Sequence, residues 1–295
     1  MPVNQIHPLM LVAGQSASIQ VRQIEKVSTL ADVEFRICSQ FGEDGIIEWL
    51  VHWLDIDTPI FVEIGASNYD EANTRFLLEN RNWRGLLIDA DPRISELRNS
   101  PLWWRQDITA IQSFVSAENI DSLIKSANFG GQIGLLSIDI DGMDYWIWNA
   151  IATVSPILIV CEYNGVLGDL VPVVVPYDQK FDRTRAHPSN IYWGASVGAL
   201  EMLAKTKGYE FVGTNSTGHN AFFVRQDYKS RLDGRIKSTL PRTSLIRTPR
   251  SGFTGGLARF EMIADLPVVD LRDGATRRLR ELSPVYSDRW LKALK

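Results

Sequence analysis

Apolar and polar positions along this 295-residue chain follow two spacings that take turns. In FGEDGIIEWLVHWLD, Ile46, Ile47, Leu50, Val51 and Leu54 recur at helical intervals and predict an amphipathic helix. PIFVEIG (59–65) is a short apolar run behind a proline and predicts a buried strand. EANTRFLLENR then predicts a helix ending before Asn82, and GLLIDADP (85–92) a second buried strand. ISELRNS reads as helical, WWRQDI as a candidate third strand, and NIDSLIKSANFG as a helix. GLLSIDIDG (134–142) predicts a fourth strand, DYWIWNAI a helix, and PILIVCEYN (156–164) a fifth strand. GASVGALEMLAKTKG predicts a helix closed by Gly208, and YEFVGTN and NAFFVR a final strand pair turning at 216–219.

Strands that are apolar on both faces and alternate with helices predict a parallel sheet covered on both sides. The expected fold is α/β, a doubly wound, mostly parallel sheet ending in an antiparallel hairpin. Residues 1–34 read as a variable arm. From about Lys229 the chain turns basic and poor in bulky apolar residues, so 229–295 reads as a basic extension, a solvated surface being favoured over a substrate-covering flap.

Composition changes this picture little. Hydrophobic residues make up 45% and charged residues 22%, as in an ordinary globular protein. A net charge of −4 gives no pull toward nucleic acid. No uncharged run reaches the length of a membrane span. Cys38 and Cys161 sit in apolar contexts and read as core thiols. The first residues, MPVNQIHPLMLVAG, lack the charged start of a secretory signal, so a cytoplasmic setting is expected.

The candidate chemistry lies at the carboxyl ends of the predicted strands, where open α/β sheets bind ligands. The first motif is Glu63-Ile-Gly65-Ala66-Ser67. Gly65 permits a sharp turn and a close backbone approach. Positions 67 and 70 are Ser and Asp, so the motif is not GxGxxG, and the acids Asp70 and Glu71 suit a pyrophosphate poorly. A ligand without phosphate and with positive charge fits better, and S-adenosylmethionine is one. The second motif ends at Asp89, 24 positions beyond Gly65. A carboxylate there can accept both hydrogen bonds of a ribose diol, or alternatively cap the next helix.

At this point the chain resembles the FkbM-like group of class I S-adenosylmethionine-dependent methyltransferases. FGEDGIIEWL, FVEIGASNYDEANTRFLLENRNWRGLLIDADP, SAENI, LLSIDIDGMDYWIWNAI, CEYN, YWGASVGALEML, KGYEFVG and NAFFVR carry the resemblance, in order, over about residues 38–226. It implies a Rossmann-like seven-stranded sheet with the methyltransferase domain at 35–228. It implies that Glu63, Gly65 and Ser67 line the methionine end of the cofactor and that Asp89 holds its ribose. Asp107 or SAENI (116–120) would lie beside adenine. Ser67 stands where many methyltransferases have a second glycine.

A third motif gathers Asp139, Asp141 and Asp144 at the end of the fourth strand, with Glu162 and Asn164 at the end of the fifth. Oxygen ligands without cysteine suit Mg²⁺ or Mn²⁺, and the set is similar to that of metal-dependent O-methyltransferases. The competing reading gives Asp139 to the cofactor and makes one acid a lone base. Asp141, Asp144, Glu162 and the loop histidine His187 are the candidate bases. Tyr192 and Trp193 are candidates to pack on a sugar ring, while His219 falls in an exposed turn.

The resemblance implies O-methylation of a sugar or glycan-type hydroxyl on a small-molecule or glycan acceptor. The arm and the basic tail are candidate contacts of a homo-oligomer. Two other readings stay open: a nucleotide-dependent oxidoreductase, and a non-catalytic binding module in a glycan or secondary-metabolite assembly pathway.

Overall fold

A computed structural model of the chain describes residues 8–244 and 256–293. Parts of the arm and of the basic tail, residues 1–7, 245–255 and 294–295, lie outside the described residues.

The chain runs α1 (Pro8–Arg22), α2 (Glu43–Trp53), β1 (Ile60–Ile64), α3 (Arg75–Arg81), β2 (Arg84–Asp89), α4 (Pro101–Arg105) and β3 (Ile108–Gln112). It continues through α5 (Ile120–Ser126), β4 (Gly131–Ile138), α6 (Asp144–Ala150), β5 (Val154–Glu162), β6 (Val173–Val174), α7 (Arg183–Ala186) and α8 (Val197–Lys207). The last elements are β7 (Tyr209–Thr214), β8 (Asn220–Arg225), α9 (Gln226–Lys229), α10 (Gly256–Ile263), β9 (Pro267–Asp270), β10 (Ala275–Arg278) and α11 (Asp288–Lys292).

Seven strands form one sheet in the order β3-β2-β1-β4-β5-β8-β7. The first five in this order run parallel, and β8 and β7 close the far edge as an antiparallel pair. This is the expected fold: a Rossmann-like, mostly parallel seven-stranded sheet. Strand alternation explains why its strands are apolar throughout. Val62, Ile64, Leu86, Ile88, Leu136 and Ile138 feed one core, with α5, α6 and α8 over it. Phe61, Leu87, Leu135, Leu158 and Val160 feed the other, beneath α2 and α3. Neither face meets water, so neither selects polar residues.

Three expectations change. WWRQDI is not a strand: Ser100 caps α4 with Pro101 at its first position, so the two tryptophans are helical and β3 starts at Ile108. The arm is structural. Val21, Val27, Leu30 and Val33 are buried with α2, and Ser18 Oγ donates to the buried Glu48 at 2.6 Å. The extension is not a solvated tail. Residues 267–270 pair with β6 on one side and with 275–278 on the other, in a second sheet of order β10-β9-β6. Phe260, Ile263, Val268, Leu279 and Trp290 are buried in the main core. Cys38 and Cys161 are buried free thiols, as expected.

Candidate functional site

Strand order reverses between β1 and β4, the place where an α/β sheet leaves a crevice at its carboxyl edge. The loops after β1, β2, β3 and β4 surround a cavity of about 360 Å³ there, walled by Gly65, Ser67, Asp89, Phe114, Asp139 and Asp141 among others. Gly65 is required by the geometry. Its φ is +92°, and a Cβ would lie 1.6 Å from the carbonyl oxygen of Asp139. The loops after β1 and β4 are thus in backbone contact. Ser67, in the second-glycine position, holds φ +47° and adopts a left-handed conformation without being glycine.

Asp89 ends β2, as the sequence predicts. Its Oδ2 accepts from Ser67 N at 2.6 Å and its Oδ1 from Asp91 N at 2.7 Å. It caps no helix: Asp91, not Asp89, caps the 3₁₀ turn over 92–99. Two backbone donors fix the carboxylate while each oxygen keeps a lone pair for the cavity it lines.

Glu63 is buried on β1. Its Oε1 accepts from Asn73 N at 2.9 Å and its Oε2 from Thr74 N at 3.2 Å and from the Thr74 hydroxyl. Burial pushes its carboxyl up to about 7 against those hydrogen bonds. It shapes the turn before α3, and it also lines a second, polar cavity of about 420 Å³. That cavity meets the first at Gly65, Ser67 and Asp139.

Asp139, Asp141 and Glu162 come together, with carboxylate oxygens all within 4.8 Å of one another. Burial, then the neighbouring acids, raises both Asp139 and Glu162 well above the usual carboxylate range. Glu162 Oε2 is buried with no hydrogen-bond partner among the described residues. Asp141, more exposed, takes a contact from the Arg183 guanidinium, which itself lies 5.4 Å from the Trp193 ring centroid. Asp141 has φ +56° and has left the strand. The cluster therefore forms by a loop turn beyond the end of β4.

Four predicted site residues are placed elsewhere. Asp107 precedes β3, at the amino edge of the sheet, where it pairs with Arg84 at 3.7 Å; the site is at the opposite edge. Asn164 is spent on structure. Its Nδ2 donates to the carbonyls of Ile191 and Trp193 at 2.7 and 2.9 Å, and its Oδ1 accepts from Val166 N at 3.0 Å. Asp144 is fully buried and accepts from the backbone of Ile140 at 2.9 Å and Gly142 at 3.1 Å. It holds the loop after β4, and burial pushes it up to about 6. His187 Nδ1 lies 2.7 Å from Ser189 Oγ, and the ring lines neither cavity. Tyr192 and Trp193 are buried, the Tyr192 hydroxyl bonding the carbonyl of Pro267. His219 stacks on Phe41.

The SAENI loop does reach the site. Ser116 lines the first cavity, and Ala117 N donates to the Tyr177 hydroxyl at 3.0 Å. Tyr177 also donates to Glu118 at 2.7 Å, which ties the segment after β6 across the cavity mouth. Phe181 in the same segment packs against Gly142, where a Cβ would lie 2.5 Å from its ring. Sequence reading missed this segment. Its signal was two aromatics among charges in YDQKFDRTR, a pattern with no period.

No protein-family model matches this sequence, and no curated protein matches it. Among solved structures, the chain is similar to a putative O-methyltransferase from Klebsiella pneumoniae (13% identity, 74% of this chain and 90% of that one, TM-score 0.39). It is also similar to an O-methyltransferase family protein from Burkholderia thailandensis (12%, 73% and 71%, TM-score 0.37). A third is mitomycin 7-O-methyltransferase (13%, 74% and 54%, TM-score 0.36), of which the chain thus spans little more than half. At TM-scores below 0.5 these likenesses carry no argument about activity or substrate.

Proposed function

We propose that this chain is an FkbM-like S-adenosylmethionine-dependent methyltransferase acting on a hydroxyl of a sugar or glycan-type acceptor, with a divalent cation held among Asp139, Asp141 and Glu162. The observation that carries this reading is Asp89: a carboxylate fixed by two backbone N–H groups at the strand end beside the switch point, its remaining lone pairs free to accept a ribose diol.

The residues present fit both groups. The cavity wall is acidic, with Asp89, Asp91, Asp139, Asp141 and Asp178, which suits a cationic cofactor and opposes a pyrophosphate. For a cation, the donor set is three carboxylates, and the buried Glu162 Oε2 lacks, among the described residues, a partner that Mg²⁺ or Mn²⁺ would supply. When bound, S-adenosylmethionine supplies a methyl activated by the sulfonium, and the cation supplies Lewis acidity toward oxygen.

The chain's own work is alignment and proton handling. Asp89 anchors the cofactor, and the Gly65–Asp139 backbone contact fixes the spacing between the anchor and the acid cluster. Two buried carboxylates so close hold a proton or a cation between them. With that proton or cation in place, Asp141 is the group that takes the acceptor's proton, since Asp144 and His187 are committed to other contacts. The Tyr177–Glu118 contact ties the segment after β6 across the cavity mouth.

The test offers methyl-tritiated S-adenosylmethionine with a panel of methyl glycosides, first with Mg²⁺ and then with EDTA. Label on a glycoside oxygen, lost with EDTA, supports the whole reading. Label that survives EDTA removes the metal. Label found only on an amine control contradicts the hydroxyl acceptor.

A further inference from the structure

The polar cavity beside Asp139 has a chemistry of its own. Its wall carries no basic and no aromatic side chain among the described residues. Most of its acids are already matched. Glu71 pairs with Arg36 at 3.1 Å, and Asp70 with Arg75 at 3.5 Å and with Asn68 Nδ2 at 2.7 Å. Both oxygens of Glu63 take donors from the 73–74 turn. An anionic acceptor would be repelled here. An aromatic acceptor would find no face to stack on, and an ammonium would meet, beyond the matched acids, only Asp139, which already faces Asp141 and Glu162.

What remains is a set of carboxamides, Gln40, Asn68, Asn73 and Asn220. Asn220 is the informative one. It starts β8 opposite Glu162, in register across the β5–β8 pair. It is only 4% exposed. Its Nδ2 donates to Glu43 Oε1 at 2.9 Å, and Asn215 Nδ2 donates to the same oxygen at 2.7 Å. Glu43 is fully buried and its other oxygen accepts from Phe41 N at 2.8 Å. A carboxylate accepts and does not donate, so the amide cannot turn over without setting its oxygen against Glu43. Its Oδ1 therefore faces away from Glu43, and that atom has no hydrogen-bond partner among the described residues. A buried acceptor held in place without a donor is a demand for one.

We infer that this cavity is the acceptor site, and that Asn220, oriented by Glu43, selects a neutral polyhydroxylated ring by accepting a hydrogen bond from one of its hydroxyls. The inference rests on the methyltransferase reading for what is transferred, but not for what the cavity binds. Because the two cavities meet at Asp139, a ring seated here presents its hydroxyls at the acid cluster. A site built around a fixed acceptor rejects ligands that lack the matching donor more strongly than an apolar pocket does.

Saturation-transfer NMR on the full chain tests it, with and without S-adenosylhomocysteine. The probes are methyl glycosides of glucose, mannose and rhamnose, the 2-amino-2-deoxy glucoside as the cationic control, and glucose 6-phosphate as the anionic one. Saturation of neutral glycosides above both controls is expected. Asn220→Ser should weaken glycoside binding by roughly tenfold or more while S-adenosylhomocysteine still binds. If Asn220→Ser does not fold, Gln40→Ala, on the exposed rim, carries the same expectation with a smaller loss. No saturation of any neutral glycoside in either state overturns the assignment, as does preference for a charged control or wild-type binding in the variants. Glycoside saturation without any S-adenosylhomocysteine binding would sink the methyltransferase reading and leave the acceptor site standing.

Discussion

Replacing Gly65 by alanine probes the contact on which the site's spacing depends. The added Cβ would start 1.6 Å from the Asp139 carbonyl oxygen, a backbone atom, where Cβ atoms essentially never come closer than 3.0 Å. The loop after β4 must therefore retreat by roughly 1.4 Å. Alanine at φ +92° adds a backbone cost of about 1–2 kcal/mol. The retreat strains two flanking hydrogen bonds, Gly65 N to Ile88 O and Asp139 N to Ile64 O, both 3.0 Å. Losing one of them costs about 1 kcal/mol, and overpacking about 1–3 more. Taken together, about 3–6 kcal/mol is expected, or a fall in Tm of roughly 6–24 °C for a chain of this size. Gly130→Ala is the internal control: its Cβ would meet only ordinary contacts at 3.7 Å or more, so its Tm should stay within about 2 °C of wild type. Thermal melts followed by circular dichroism decide it. If Gly65→Ala melts with Gly130→Ala, the two loops are not in backbone contact and the site's geometry is wrong.

Further expectations follow from the buried acids. The folded chain holds Glu63 up at about 7 and Asp44 and Asp144 at about 6, all above their unfolded values of 4.5 and 3.8. Each then contributes stability that is full below pH 4 and is lost as pH rises through 6 to 7. For Glu63 that is about 3 kcal/mol at most, so urea midpoints should fall between pH 5 and pH 8, and Glu63→Gln should flatten the slope. An unchanged slope in Glu63→Gln would remove Glu63 as its source. Asp144→Asn keeps one acceptor where two backbone donors need one each, and should lower stability by about 1–3 kcal/mol; a neutral result by urea titration would deny it the loop-holding role. Mn²⁺ titration followed by water-proton relaxation should show binding in the wild type and a loss of roughly tenfold or more in Glu162→Gln. Equal binding by Asn164→Ala and the wild type would confirm that Asn164 is no ligand.

The main sheet was legible because its strands are short apolar runs separated by helices, and a parallel strand buried on both faces has no other pattern to show. Asp89 and Gly65 were legible because each ends such a run. Asp107 was misplaced by the same logic, since the boundary of β3 lay hidden behind Trp103 and Trp104, which pattern alone does not divide between helix and strand. Asn164 looked like a ligand and Asp144 like a base because strand ends collect such residues, yet their oxygens serve backbone donors that only the folded loops reveal. The arm and the extension were read as surface because Val21, Val27 and Leu30 are spaced singly, and β6, β9 and β10 have only two to four residues each. Asn220 carried a faint signal, a polar side chain opening an otherwise apolar strand, but its orientation comes from Glu43, 177 residues away.

The central claim is that Asp89 anchors S-adenosylmethionine in the cavity at the switch point. Calorimetric titration with S-adenosylhomocysteine tests it most directly, on the wild type and on Asp89→Asn. The account predicts micromolar binding by the wild type and a loss of roughly tenfold or more in the variant, whose amide can accept from one ribose hydroxyl but not both. Equal binding by both proteins, or no binding by the wild type at any pH or Mg²⁺ concentration, would contradict it.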